Sequence, residues 1–292
     1  MRTLKLRNNR LPMRGVLLMP SLNMINTNIQ LSGENIRNRE LEDKLQCAID
    51  GGDSVWIIGD IHGYKETFLS LLNKLDLKPS DHVICIGDLI DKGPDSKGVL
   101  EFVRNSKNIH SIRGNHEEML RLSVSPKHGR MMKSWLKYGG LDTLASFSDV
   151  KEEQLEIARS WLPFIESLPT EIILRDFRIV HAGYNPEKSI EDQHNQDLMW
   201  SRQIFDITEP IDPFRQIIVG HTPVQKIVNS EFSEVWNSSV RLADGRPAVI
   251  AIDTGVAIQN SDNARLSAIQ INLIAREKKQ ETICWQLALP TQ

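Results

Sequence analysis

Five short clusters hold the residues that could do chemistry. They are Gly59-Asp60-Ile61-His62-Gly63, Gly87-Asp88-Leu89-Ile90-Asp91-Lys92-Gly93, Arg113-Gly114-Asn115-His116-Glu117, His181-Ala182-Gly183 and Gly220-His221-Thr222-Pro223. Carboxylates and imidazoles are groups that can share a metal ion. Asp60 and His62 are two apart, and side chains alternate in an extended segment, so both leave the same side of the chain and can reach one ion. Each cluster alone is commonplace. Five in one chain, each at the end of a β-rich run, are not an accident.

The runs that must position these clusters are legible. Val55–Ile58 is a continuous apolar stretch that stops at Gly59, the pattern of a fully buried strand. Asp60 and His62 then emerge where the sheet opens to solvent, which is where open α/β sheets place ligands. Helical spacing of apolar residues follows over 65–75. A second strand spans 82–86 with a helix at Ser96–Asn105, and a third spans 109–112 with a helix over 116–122. This alternation implies parallel strands with crossover helices. Residues 34–49 read as an amphipathic helix ended by Gly51 and Gly52.

Residues 123–168 read as a helical insertion, whose aromatics, Trp135 among them, are expected in its core. Further strands are expected over 171–174, 177–181, 216–219, 248–252, 266–272 and 282–287, forming a second, more antiparallel sheet. His82, His110, His128 and His194 lie outside the clusters and read as surface or satisfied core residues.

The clusters resemble those of the calcineurin-like metallophosphoesterases, and within them the phosphoprotein phosphatases of bacteria and phages, over residues 55–273. Trp135-Leu136-Lys137-Tyr138-Gly139-Gly140-Leu141-Asp142-Thr143-Leu144, Leu168-Pro169 and Met199-Trp200-Ser201-Arg202 also resemble the bacterial branch. The resemblance implies an α/β fold of two mixed β-sheets packed as a sandwich flanked by helices. It implies that one divalent ion takes Asp60, His62 and Asp88, and a second takes Asp88, Asn115, His181 and His221, with Asp88 shared. Manganese leads among the metals, with iron or zinc as alternatives. Such a pair can hold a bridging hydroxide that attacks phosphorus in line.

His116 is then the general acid and Asp91 orients it. Arg113, Arg202 and Lys92 bind phosphate oxygens. Lys92 stands where the family has an arginine, a point charge in place of a fork. The loop after Asp253 lacks the family's paired glycines.

The resemblance points to a protein serine/threonine phosphatase. The alternative is a symmetrical dinucleoside tetraphosphatase, and Asp91 favours the phosphatase because those hydrolases typically lack an acid there. A catalytically dead scaffold that binds phosphorylated partners is disfavoured by the full set of motif residues.

Composition sets the remaining bounds. The 292 residues carry a net charge of −3, and the first fourteen hold five bases and no acid, so the rest is acidic. An acidic body disfavours binding to nucleic acid and suits a collector of divalent cations. Cys47, Cys85 and Cys284 are odd in number and show no Cys-x-x-Cys spacing, which argues against disulfides and for a reducing cytoplasm. No apolar run reaches the roughly eighteen residues of a membrane helix.

Residues 1–33 read as a basic, poorly ordered extension preceding one domain over 34–292. A signal peptide is disfavoured because Pro20 cuts a short apolar piece that lacks a small-x-small site; a targeting peptide or an upstream start codon are the other readings.

Overall fold

The computed structural model describes residues 36–125, 131–229, 233–258 and 261–271, and the backbone of Cys284–Ala288. The expected extension over 1–33 and His128 lie outside the described residues.

Helix α1 (Arg39–Gly51) starts where the Asn38 side chain accepts from Leu41 N at 3.0 Å and ends at Gly52 in the left-handed conformation. Three strand–helix units follow: β1 (Val55–Ile58) with α2 (Lys65–Lys74), β2 (His82–Cys85) with α3 (Ser96–Asn105), and β3 (Ile109–Ser111) with α4 (Asn115–Val124). Four short helices lead to the next strand: α5 (Met132–Trp135), α6 (Leu141–Phe147), α7 (Lys151–Ser160) and α8 (Leu162–Ser167). The remaining elements are β4 (Glu171–Ile173), β5 (Phe177–Val180), α9 (Asn195–Trp200), β6 (Gln216–Val219), α10 (Val224–Val228), β7 (Trp236–Asn237), β8 (Val249–Ala251), β9 (Arg265–Ile271) and β10 (Cys284–Ala288).

Two five-stranded sheets result, in the orders β10-β9-β1-β2-β3 and β4-β5-β6-β8-β7. Both are mixed, as expected. In the first, β1, β2 and β3 run parallel, with Val55 opposite His82, while β9 pairs antiparallel to β1. In the second, β5, β6 and β8 run parallel and the two edge strands, β4 and β7, are antiparallel. The expectation of a more antiparallel second sheet is therefore corrected. That sheet is parallel at its centre, and β9 and β10 return to the first sheet. Strand partners are chosen by contacts distant in sequence, which local alternation does not encode.

The inner faces share one core. Ile57, Ile84 and Ile269 of the first sheet, with Ile112 just past β3, pack with Ile172, Ile179, Ile218 and Ile250 of the second. Burying each such side chain contributes about 1.5–3 kcal/mol. This packing brings the carboxyl ends of β1, β2 and β3 together with those of β5, β6 and β8.

Candidate metal centre and active site

Every expected metal donor sits just beyond a parallel strand. Asp60 and His62 follow β1, Asp88 follows β2, Asn115 opens α4 after β3, His181 follows β5 and His221 follows β6. Asp60 and Asp88 are each 2% exposed, and His181 is fully buried. Seven non-glycine residues among the described ones have positive φ, and five of them, His62, Asp88, Asp91, Lys92 and His221, are site residues. That conformation is sterically disfavoured for a residue with a Cβ, so the surrounding fold must impose it. Gly220 keeps its φ in the ordinary range but admits no side chain, because a Cβ there would strike the Asp60 carboxylate.

Two clusters of donors share Asp88. His62, Asp88 and His116 form one; Asp88, His181 and His221 form the other. His181 Nε2 lies 3.3 Å from Asp88 Oδ1 and 2.9 Å from Asn115 Oδ1, and His221 Nδ1 lies 2.8 Å from the same amide oxygen. The two sheets are tied here, since His221 N donates to both Asp60 oxygens at 3.0 and 3.1 Å, while within the second sheet Gly220 N donates to His181 O at 2.8 Å. Backbone carbonyls set two tautomers. Ile90 O faces His62 Nδ1 at 3.0 Å and Ile86 O faces His181 Nδ1 at 2.8 Å, and a carbonyl only accepts, so each Nδ1 carries a proton and each Nε2 is the nitrogen that would turn to an ion.

The electrostatics fit cations. Burial pushes the Asp60 carboxyl well up, and repulsion from Asp253 and Asp88 adds to the rise. Burial also opposes ionisation of Asp88, but the neighbouring His181, His116 and His62 outweigh it and hold its pKa well down. His181 is the counterpart: burial lowers its pKa, yet Asp88 and Asp60 raise it to about 9. Three carboxylates, Asp60, Asp88 and Asp253, are thus crowded in a buried space, while His221 Nε2 has no hydrogen-bond partner. Divalent ions on these oxygens and imidazole nitrogens would offset that crowding and let all three carboxylates ionise.

The remaining expected residues divide. His116 Nδ1 is 2.6 Å from Asp91 Oδ2, and its Nε2 lies 3.8 Å from Asp88 Oδ2, facing the centre. Lys92 Nζ lies 2.7 Å from His62 Nε2. Arg202 is exposed at the rim, where partial burial lowers its pKa against the attraction of Asp253 and Asp88. Arg113 is not brought to the site. Its guanidinium is buried and donates to Ile165 O at 3.0 Å, Glu166 O at 2.7 Å and Glu118 Oε2 at 3.3 Å. The phosphate contact expected of Arg113 is not prepared in this arrangement, since the donors of its fork serve Glu118 of α4 and the carbonyls of α8.

Two residues join the site that motif reading did not assign. Asp253, just after β8, is 4% exposed, and burial together with Asp88 raises its carboxyl although Gly255 N–H and Lys92 oppose the rise. Its only signal was a strand-end position like the others. Fully buried Glu117 accepts from the N–H groups of Asp88, Leu89 and Gly114 at 2.8–2.9 Å and so shapes the Asp88 turn. Burial and Asp88 raise its pKa to about 7.

Paired donor clusters around a shared aspartate, set at converging strand ends, define a two-metal hydrolase centre. The chain belongs to the calcineurin-like phosphoesterase family, whose profile matches residues 54–247. Serine/threonine-protein phosphatase 1 of Salmonella typhimurium is 32% identical over 179 residues, covering 59% of this chain and 80% of that protein. A symmetrical bis(5'-nucleosyl)-tetraphosphatase of Haemophilus ducreyi is 32% identical over 136 residues, 46% of each chain. The structure of a serine/threonine phosphatase from Saccharomyces cerevisiae, at 16% identity, shares the fold with a TM-score of 0.54 over 87% of this chain and 88% of that one. No helix among the described residues is long and apolar enough to cross a membrane.

Proposed function

We propose that this chain removes phosphate from phosphoserine and phosphothreonine in proteins, using two divalent ions, manganese by preference, in the cytoplasm. Asp60, His62 and Asp88 would hold one ion, and Asp88, Asn115, His181 and His221 the other. Such a pair supplies Lewis acidity and a nucleophilic water at neutral pH. The oxygen and imidazole donors suit manganese, iron or zinc. The unpaired thiols of Cys47 and Cys85 suit a reducing compartment.

The chain's own groups bind phosphate and deliver the proton. Arg202 at the rim and Lys92 beside His62 would take phosphate oxygens. His116, its Nδ1–H held by Asp91, keeps Nε2 toward the centre as the donor to the departing oxygen. That dyad, at 2.6 Å, is the observation that carries the reading. A serine alkoxide is a poor leaving group, and general acid catalysis is worth roughly 10²–10⁴ in rate. A phosphate expelled from a phosphoanhydride needs no such proton, so the dyad would be idle in a dinucleoside polyphosphate hydrolase.

The test is the purified protein with Mn²⁺, assayed side by side on a phosphoserine peptide, a phosphotyrosine peptide and a dinucleoside tetraphosphate. The highest kcat/KM is expected on the phosphoserine peptide. A clear preference for the tetraphosphate would overturn the reading in favour of the relatives of that name.

A further inference from the structure

The Asp91 carboxylate is fully buried and, besides facing His116, is held by the helical insertion. Trp135 Nε1–H is shared between Asp91 Oδ2 at 3.0 Å and Oδ1 at 3.1 Å, and Thr143 Oγ1 donates to Oδ1 at 2.6 Å. Thr143 Oγ1 also accepts from Asp91 N at 2.9 Å and lies 3.0 Å from Ser96 Oγ, which itself accepts from Asp91 N at 3.0 Å. Both the carboxylate and the amide of Asp91 are therefore engaged by groups other than His116.

The insertion is built to come this close. Gly139 has φ 114°, and a Cβ on it would stand 2.7 Å from Lys92 N and 3.0 Å from Asp91 Cβ. A Cβ on Gly140 would stand 2.6 Å from the Trp135 ring. The pair of glycines lets the turn between α5 and α6 lie against the Asp91-Lys92 backbone, whose φ angles of 74° and 70° are strained.

We propose that Trp135 and Thr143 are positioning residues for proton delivery: they fix the plane of the Asp91 carboxylate and, through it, the ring of His116. A carboxylate held only by His116 could turn about its Cβ–Cγ bond and take the imidazole with it. Held at both oxygens by an indole N–H and a hydroxyl, it has one orientation, and Nε2 of His116 keeps one direction. The inference rests on the reading of His116 as general acid.

The experiment separates the inference from that reading. Thr143→Val removes the hydroxyl at constant shape, Trp135→Phe removes the indole N–H, and Thr143→Ser retains the hydroxyl. Each is measured with His116→Asn on a phosphoserine peptide and on 4-nitrophenyl phosphate, whose leaving group needs little protonation, together with bound Mn²⁺ and the unfolding midpoint. Loss of an outer partner of this kind costs about ten- to a hundredfold in activity. That loss is expected in kcat on the phosphoserine peptide for Thr143→Val and Trp135→Phe, with a much smaller loss on the aryl ester, KM and bound metal unchanged, and Thr143→Ser close to the parent. Equal fractional loss on both substrates, or no loss in either folded variant, overturns the inference while a selective loss in His116→Asn leaves the general acid standing. Equal loss in His116→Asn overturns the general-acid reading and the inference with it. If Thr143→Val does not fold, Trp135→Phe decides alone.

Discussion

Arg113 and Arg202 are the same residue type in two environments, and their substitution should separate fold from binding. Arg202→Ala removes a rim fork that can grip phosphate at two oxygens, so KM for a phosphopeptide and the inhibition constant for inorganic phosphate should both rise about tenfold. Arg113→Ala leaves Ile165 O and Glu166 O without their donor and should cost stability, about 1–3 kcal/mol by denaturant titration. A rise in KM from Arg113→Ala in a fully stable protein would restore the sequence-based assignment.

A second residue-scale prediction concerns His82 and His110, which stack with centroids 5.4 Å apart on neighbouring strands. Burial, His82 and Lys44 push His110 from 6.5 down to about 4, and burial and Lys44 lower His82 as well. The unfolded chain therefore binds protons that the folded one refuses, and stability should fall as pH drops from 6.5 toward about 4. His110→Phe should flatten that slope between about pH 7 and pH 5 without changing turnover at pH 7; an unchanged slope would contradict it.

Legibility at this scale followed position in the backbone. Residues tied to a strand-end turn, such as Asp88 and His181, could be read because the turn itself aims them. Arg113 could not, because a long side chain chooses among distant partners, and Trp135 read as plain core because helical spacing shows burial but not where an indole N–H points.

Among elements, α1 lies outside the motif-bearing stretch yet closes an edge of the second sheet. Glu42, 5% exposed, accepts from Ile173 N at 2.9 Å and Arg37 Nε at 2.8 Å, while Gln46 Oε1 accepts from Arg175 N at 2.8 Å. Side chains of a helix thus satisfy one backbone donor of the edge strand β4 and one just past its end. Glu42→Ala should lower stability by about 1–3 kcal/mol, with kcat/KM unchanged in the folded fraction. A loss of activity at full stability would place α1 in the catalytic machinery.

The amphipathic pattern announced this helix, and the apolar runs announced the strands around the site to within about a residue or two. Helices α9 and α10 and strand β7 went unread because they are six, five and two residues long, too short for a periodicity to register. The return of β9 beside β1 was also hidden, since Val55 meets Ile271 across most of the chain.

For the whole molecule, the site is the seam between the two sheets. Asp60, His62, Asp88 and Asn115 come from strand ends of the first sheet, and His181 and His221 from the second. Ions held there would cross-link the sandwich and relieve the repulsion among its buried carboxylates. Chelation should therefore lower the unfolding midpoint, and returning Mn²⁺ at a hundred times its dissociation constant should restore about 2.7 kcal/mol per ion. Asp88 is the group on which both donor clusters depend. The most direct test is the metal content of purified Asp88→Asn beside the parent, with turnover measured on the same samples. The parent should carry about two ions per chain, and the variant should carry fewer and show no turnover. An Asp88→Asn protein that keeps the parent's metal and activity would contradict a shared aspartate at the centre.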